Sequence, residues 1–256
     1  MPVPEVPGEV RLWAEALRGL CRRHVPDAHG LYLTGSICTG GFNQTVSDLD
    51  LLMAVRSPVA EDVLRVLVAV LVELGPPPAA GGLDLEVFTL AGLRQPDTDL
   101  RWYGWIRWYG GQEPHLQTAG ALPLSDWAPA LAIARRHATP LFGPPSAELI
   151  WRVPRHLLLT ACREELAGWG ANYEEHWSLS GGILTACRAW WYWAESGLGS
   201  KMDAGRWALS RVGDPTLILQ ALDHQTTGAP HNLTPTATIA FVRHVAARIA
   251  QPPLTG

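Results

Sequence analysis

The residues best suited to chemistry are a Gly35-Ser36 step, eleven intervening residues, and then Asp48-Leu49-Asp50. Leu31 to Thr34 and Asp48 to Val55 each read as a strand, so the Gly-Ser step closes one strand and the acids open the next. Alternate strand residues share a face, which presents Asp48 and Asp50 together and turns Leu49, Leu51 and Met53 toward a core. Two carboxylates so placed suit one hard divalent cation or a shared pair. Mg²⁺ fits best, because water and substrate phosphates complete its oxygen shell. Leu83 to Leu90 reads as a third strand, with Asp84 and Glu86 alternating with Leu83, Leu85 and Val87. If it lies beside the second strand, Glu86 can complete metal coordination or take a proton from an attacking hydroxyl. Gly35 lets the backbone approach a ligand closely, and Ser36 can donate to phosphate oxygens, with Ser47 as a further donor.

The elements that must hold these residues follow from periodicity and punctuation. Leu12, Ala16, Leu17 and Leu20 give a helix from about Gly8 to Arg23, and another starts at Pro58 and runs to Leu74 before Pro76-Pro-Pro78. A helix over Trp127 to Ala138 and a punctuated stretch from Pro140 to Pro145 follow. Beyond Pro154 no strand-like alternation is present. Helices are expected over Arg155–Ala167, Leu179–Ser196, Asp203–Arg211, Pro215–Gln225 and Pro235–Ala250. The expected organisation is therefore α+β followed by all-α. Residues 1–150 form a mixed sheet with helices and residues 151–256 a helical bundle, with a ligand cleft between the two.

Composition removes several classes. The 256 residues suffice for a large core without disulfides, and 47% apolar with 17% charged residues is a globular balance. No apolar run spans a bilayer and no secretory signal is visible, so a cytoplasmic protein is expected. A net charge of −4 gives no positive field for nucleic acid. Cys21, Cys38, Cys162 and Cys187 lack paired metal-ligand spacing, and the nine histidines form no H-x-x-x-H cluster. Of the twenty basic residues nineteen are arginine, leaving Lys201 as the only lysine. Gly197-Leu-Gly199-Ser200-Lys201 ends like a phosphate-binding P-loop but does not satisfy G-x-x-x-x-G-K-[ST].

The Gly35-Ser36, Asp48-Leu-Asp50 and Glu86 set resembles the nucleotidyltransferase superfamily of the polymerase-β type. Over nearly the whole chain the sequence resembles the aminoglycoside 3''-adenylyltransferases, which modify streptomycin and spectinomycin. That likeness rests on Leu141-Phe-Gly-Pro144, Leu184 to Arg188, Trp190-Trp-Tyr192, Lys201 and Trp207-Ala208. The resemblance implies Mg²⁺-dependent transfer of AMP from ATP, the co-substrate, to a hydroxyl of an antibiotic, releasing pyrophosphate and conferring resistance; the chain itself is expected to be a monomer. It assigns metal to Asp48 and Asp50, the base to Glu86, and ATP phosphates to Arg188 and Lys201. A linker indole on the antibiotic matches Trp105 or Trp108. Where streptomycin-modifying relatives carry an aspartate, this chain has Ser178, with Glu174 and Glu175 close by. Thr226 or Thr227 stands where the family has a nucleotide-contacting tyrosine.

Trp102, Trp105 and Trp108 recur every third residue, close to a helical stripe that could wall a cleft or pack an interface. Trp190, Trp191 and Trp193 read as core. Asp84, Glu113, Glu174 and Glu175 read individually as solvated charges that could attract a polycation. The competing functional readings are transfer to another small hydroxylated molecule or a protein side chain, and a non-catalytic nucleotide-binding module.

Overall fold

A computed structural model describes residues 6–95, 100–118, 120–171 and 178–251. The chain divides into two compact units, Met1–Arg152 and Val153–Gly256.

The first unit runs α1 (Gly8–His24), β1 (Ala28–Leu33), α2 (Gly35–Thr39), β2 (Asp48–Val55), α3 (Glu61–Leu74), β3 (Gly82–Thr89) and α4 (Leu90–Arg94). It continues through β4 (Leu100–Trp102), β5 (Gly104–Trp108), β6 (His115–Gln117), β7 (Gly120–Leu122), α5 (Leu124–His137), β8 (Thr139–Phe142) and α6 (Ser146–Leu149). The main sheet has the order β6-β5-β3-β2-β1-β8, and β4 pairs with β7 separately. β2 and β3 are parallel, joined by the α3 crossover, while β1–β2, β1–β8, β3–β5 and β5–β6 are antiparallel. This is the mixed sheet with helices expected from the sequence.

One sheet face is apolar because each strand alternates. Leu31, Leu33, Leu49, Leu51, Met53, Leu83, Leu85, Val87 and Ile106 pack into one core with Trp13 and Leu17 of α1 and Leu64, Leu67 and Leu71 of α3. The α3 leucines recur at helical spacing, so one stripe of that helix suffices to cover the sheet. Five strands, β4 to β8, are absent from the sequence reading, and two of them have a readable cause. β8 occupies the stretch read as punctuation, and its Pro140 is tolerated because β8 is an edge strand. The indole series at 102, 105 and 108 is not a helical stripe, since residues 104–108 form a strand.

The second unit contains α7 (Arg155–Ala171), α8 (Leu179–Glu195), α9 (Lys201–Leu209), α10 (Thr216–Thr227) and α11 (Pro235–Ala250). α8 packs against the other four and is buried around most of its circumference, from Ile183, Leu184 and Cys187 to Trp190 and Trp193. It is the axis of the bundle. Among the described residues no helix is long and apolar enough to cross a membrane.

Leu85 is fully buried at the middle of β3. Leu85→Ala is expected to cost about 2–5 kcal/mol, seen as a lowered unfolding midpoint.

Candidate active site

The register of the parallel pair decides which side chains meet. Asp50 lies opposite Asp84 and Leu52 opposite Glu86, with Asp48 opposite Gly82. Cross-strand partners point the same way, so Asp48, Asp50, Asp84 and Glu86 share the face turned away from the α1–α3 core. On the far side of β3, Trp105 of β5 is the partner of Glu86 and Arg107 that of Asp84. One sheet face thus carries four carboxylates with an indole and a guanidinium beside them. The Arg107 guanidinium lies 4.5 Å from the centre of the Trp105 ring.

The start of α2 is fastened to this face. The Thr34 amide donates to the Asp50 carbonyl at 2.9 Å. Gly35 has φ +62°, and a Cβ there would fall 1.7 Å from Asp50 Oδ2. Only glycine provides both the left-handed backbone and the room for the carboxylate. Next to it, the Ser36 hydroxyl is buried with no hydrogen-bond partner among the described residues. Such a group carries a desolvation penalty until a partner arrives, which suits a donor to a ligand oxygen. Ser47, by contrast, braces the loop itself, since it is buried and its hydroxyl accepts from the Asn43 amide at 3.0 Å.

Burial dominates the electrostatics of the acidic face, with neighbouring carboxylates adding to it. Burial, then the charges of Asp84, Asp50 and Asp126, pushes the Glu86 carboxyl up to about 8. Asp84 is pushed up to about 6 by burial, against the opposing hydrogen bonds of Trp105 and Tyr109. The Trp105 indole N–H donates to Asp84 Oδ1 and the Tyr109 hydroxyl to Oδ2, the latter at 2.9 Å. The reading of Asp84 as a solvated charge is therefore corrected: it is a fixed acceptor between two aromatic donors. Its cue in the sequence was its shared strand parity with Glu86.

The two indoles expected near a substrate separate. Trp105 lies on the acidic face, whereas Trp108, opposite Leu83, turns into the core and donates to the Gln112 carbonyl at 2.6 Å. Trp108 cannot line the acidic face, because neighbours three apart in a strand project to opposite sides. Trp102, in β4, lies outside the described side chains.

In the helical unit, Ser178 is the N-cap of α8 and accepts from the Gly181 amide at 3.1 Å. Glu174 and Glu175 lie outside the described residues. Arg188 is half-buried on α8, and Lys201 is the exposed first residue of α9. The hydroxyls of Thr226 and Thr227 donate to carbonyls one turn back in α10, Leu222 and Asp223.

The oxygen donors on the acidic face suit Mg²⁺, and the unpartnered Ser36 hydroxyl beside the Gly35 cradle suits a phosphate. Among the described residues no group of three or more His, Cys, Asp or Glu side chains is placed to hold a metal ion. A carboxylate pair with open positions is how Mg²⁺ is commonly held at phosphates.

An acid-bearing mixed sheet followed by a helical unit defines a nucleotidyltransferase fold with a C-terminal helical domain. The fold matches the crystal structure of spectinomycin adenyltransferase AAD(9) from Enterococcus faecialis, determined with ATP and spectinomycin. The TM-score is 0.77 at 17% sequence identity, over 94% of this chain and 99% of that one. Residues 148–248 match the family described as aminoglycoside adenylyltransferase, C-terminal domain. That match covers the helical unit, so residues 148–248 resemble the C-terminal domain of that family, and the likeness of the whole chain to the solved structure is one of fold.

Gly35→Ala is expected to displace the Asp50 carboxylate and to lower stability by more than about 1 kcal/mol, seen as a lowered unfolding midpoint. Glu86 ionises near its ordinary value in the unfolded chain but only near 8 in the folded one. This residue therefore lowers stability as pH rises between those values, by up to about 1.4 kcal/mol per pH unit. Without metal, Glu86→Gln should gain in melting temperature over wild type from pH 5 to pH 8. A difference that stays flat would show that Glu86 titrates normally.

Proposed function

We propose that the enzyme transfers AMP from ATP to a hydroxyl of an aminocyclitol or aminoglycoside antibiotic, releases pyrophosphate, and thereby confers resistance in the cytoplasm. The observation that carries this reading is Glu86, a half-buried carboxyl of raised basicity on the strand beside Asp50. A general base works best when its proton affinity lies near the operating pH. Glu86 takes the proton of the acceptor hydroxyl, the oxygen attacks the α-phosphorus, and the bond from that phosphorus to the β-phosphate bridging oxygen breaks as pyrophosphate departs.

Asp48 and Asp50 hold Mg²⁺ in this reading, which when bound neutralises charge on the phosphates and the leaving pyrophosphate. The Ser36 hydroxyl donates to a phosphate oxygen. Arg188 and Lys201 contribute charge-assisted hydrogen bonds to the triphosphate, the arginine as a planar fork and the lysine as a point charge. Trp105, its indole N–H held by Asp84, offers an apolar surface beside Glu86 for the acceptor.

Spectinomycin is the first acceptor to test. It is the ligand of the AAD(9) structure, and Ser178, spent on capping α8, supplies no carboxylate where streptomycin-modifying relatives have one. Streptomycin is the second, with Glu174 or Glu175 as the acid.

Mass spectrometry after incubation with ATP, Mg²⁺ and each drug is expected to show one adenylyl group gained by the drug. Glu86→Gln should lower the rate about 10²–10⁴-fold while ATP still binds. Initial rates of the wild type should rise with pH toward about 8, the proton-bearing form of Glu86 being the inactive one. Near-wild-type turnover by Glu86→Gln would remove Glu86 as the base. Adenylylation of a protein but of neither drug would replace the antibiotic acceptor.

A further inference from the structure

The Gly197-Leu-Gly199-Ser200-Lys201 segment looks like a phosphate loop that fails its consensus, and the structure gives its glycines another reason. The segment connects α8 to α9 and lies along the indole of Trp191. A Cβ on Gly197 would fall 2.1 Å from Cε2, 2.3 Å from Cδ2 and 2.4 Å from Nε1 of that ring. A Cβ on Gly199 would fall 3.1 Å from its Cζ3. The backbone therefore crosses the indole from the five-membered ring to the far edge of the six-membered one. Neither glycine has a left-handed φ, so space against Trp191, not backbone conformation, calls for glycine.

The chain leaves the ring already fixed. Ser196 closes α8 with its amide on the Tyr192 carbonyl at 2.9 Å. Buried Ser200 opens α9 with a reciprocal capping box, its hydroxyl accepting from the Asp203 amide at 2.9 Å and donating to Asp203 Oδ2 at 2.7 Å. The next residue is Lys201. Trp207 of α9 stacks on Trp191 with ring centres 6.5 Å apart, and Arg211, over Trp207 at 4.2 Å, is paired with Glu195 at the end of α8 at 2.9 Å. Arg188 lies one turn before Trp191 on α8. A single half-buried indole thus joins the helix that carries Arg188, the loop that leads to Lys201 and the helix that Lys201 begins.

We propose that Trp191 is a positioning residue for nucleotide binding: its indole fixes the backbone of Lys201 relative to Arg188, so that the two cations meet one triphosphate. This rests on the reading of Arg188 and Lys201 given above. Trp191 reaches no substrate. It acts through Gly197, Gly199 and the Ser200 cap, and its loss leaves both charges present but mismatched in spacing.

Because Lys201 is the only lysine, amine-directed acetylation followed by peptide mass spectrometry reads it alone apart from the amino terminus. In the wild type, ATP with Mg²⁺ should protect Lys201 from acetylation. Trp191→Ala should reduce that protection and raise KM for ATP about tenfold, the scale of one charge-assisted hydrogen bond, with KM for the drug within about twofold. Trp191→Phe, which keeps a flat ring, should recover most of the affinity. Gly197→Ala should imitate Trp191→Ala in the wild-type background, yet add less than about twofold to Trp191→Ala, because the atoms it meets are then gone. If Trp191→Ala fails to fold, Trp191→Phe and Gly197→Ala still decide the matter. Unchanged protection and KM for ATP in Gly197→Ala would overturn the proposal, as would equal losses for ATP and drug, the mark of general destabilisation. Lys201→Ala separates the two levels. If it leaves ATP affinity unchanged, the reading of Lys201 itself falls; if it weakens ATP while the Trp191 and Gly197 variants do not, only the positioning role does.

Discussion

Because β2 and β3 run parallel and in register, Asp48, Asp50, Asp84 and Glu86 have no choice of face. The leucines and valine between them are committed to the core under α1 and α3, and a slip of one residue would turn the acids into that core. The apolar side therefore fixes the polar side. The cost of burying these carboxylates beside one another appears in their basicity, with Glu86 pushed up to about 8 and Asp84 to about 6. Two features relieve it from within the unit. Trp105 and Tyr109 donate to Asp84, and Gly35 makes room for Asp50 where any side chain would displace it.

The helical unit solves a different problem by related means. α8 is buried along most of its length, so its few accessible positions are held rigidly by four surrounding helices. Arg188 and Trp191 are two of them. A cation on such a helix loses little further freedom when it meets an anion, and the lysine that follows the loop is held by a capping box and an aromatic contact rather than by a long ordered turn.

Much of this was legible in the sequence, for identifiable reasons. β2 and β3 announce themselves because acids alternate with leucines, a pattern that only a half-buried strand produces. The helices of the second unit show through their capping residues and glycines. β5 did not show, because Trp102, Trp105 and Trp108 recur at an interval compatible with one helix face. Only the strand's own parity, with Gly104, Ile106 and Trp108 buried, separates Trp105 from Trp108. β8 was hidden by Pro140, which reads as a breaker until the strand is known to lie at an edge. The role of Asp84 depends on donors 21 and 25 residues away, a distance at which local pattern carries no information.

The two Gly-Ser steps of the chain show why a motif has to be judged by what surrounds it. Gly35-Ser36 and Gly199-Ser200 each precede a helix, and each could be taken for part of a phosphate-binding turn. Ser200 has spent its hydroxyl: it accepts from the Asp203 amide and donates to the Asp203 carboxylate, so it has little left for a ligand. The Ser36 hydroxyl is buried and has no hydrogen-bond partner among the described residues. The glycines differ in the same way, Gly35 making space for a carboxylate on a left-handed backbone and Gly199 for an indole on an ordinary one. A hydroxyl already satisfied within the protein gains little from a phosphate, whereas an unsatisfied one recovers its desolvation penalty when a phosphate arrives. The step whose sequence lies nearest to a lysine is therefore architectural, and the step between the strands is the one left with an unsatisfied hydroxyl.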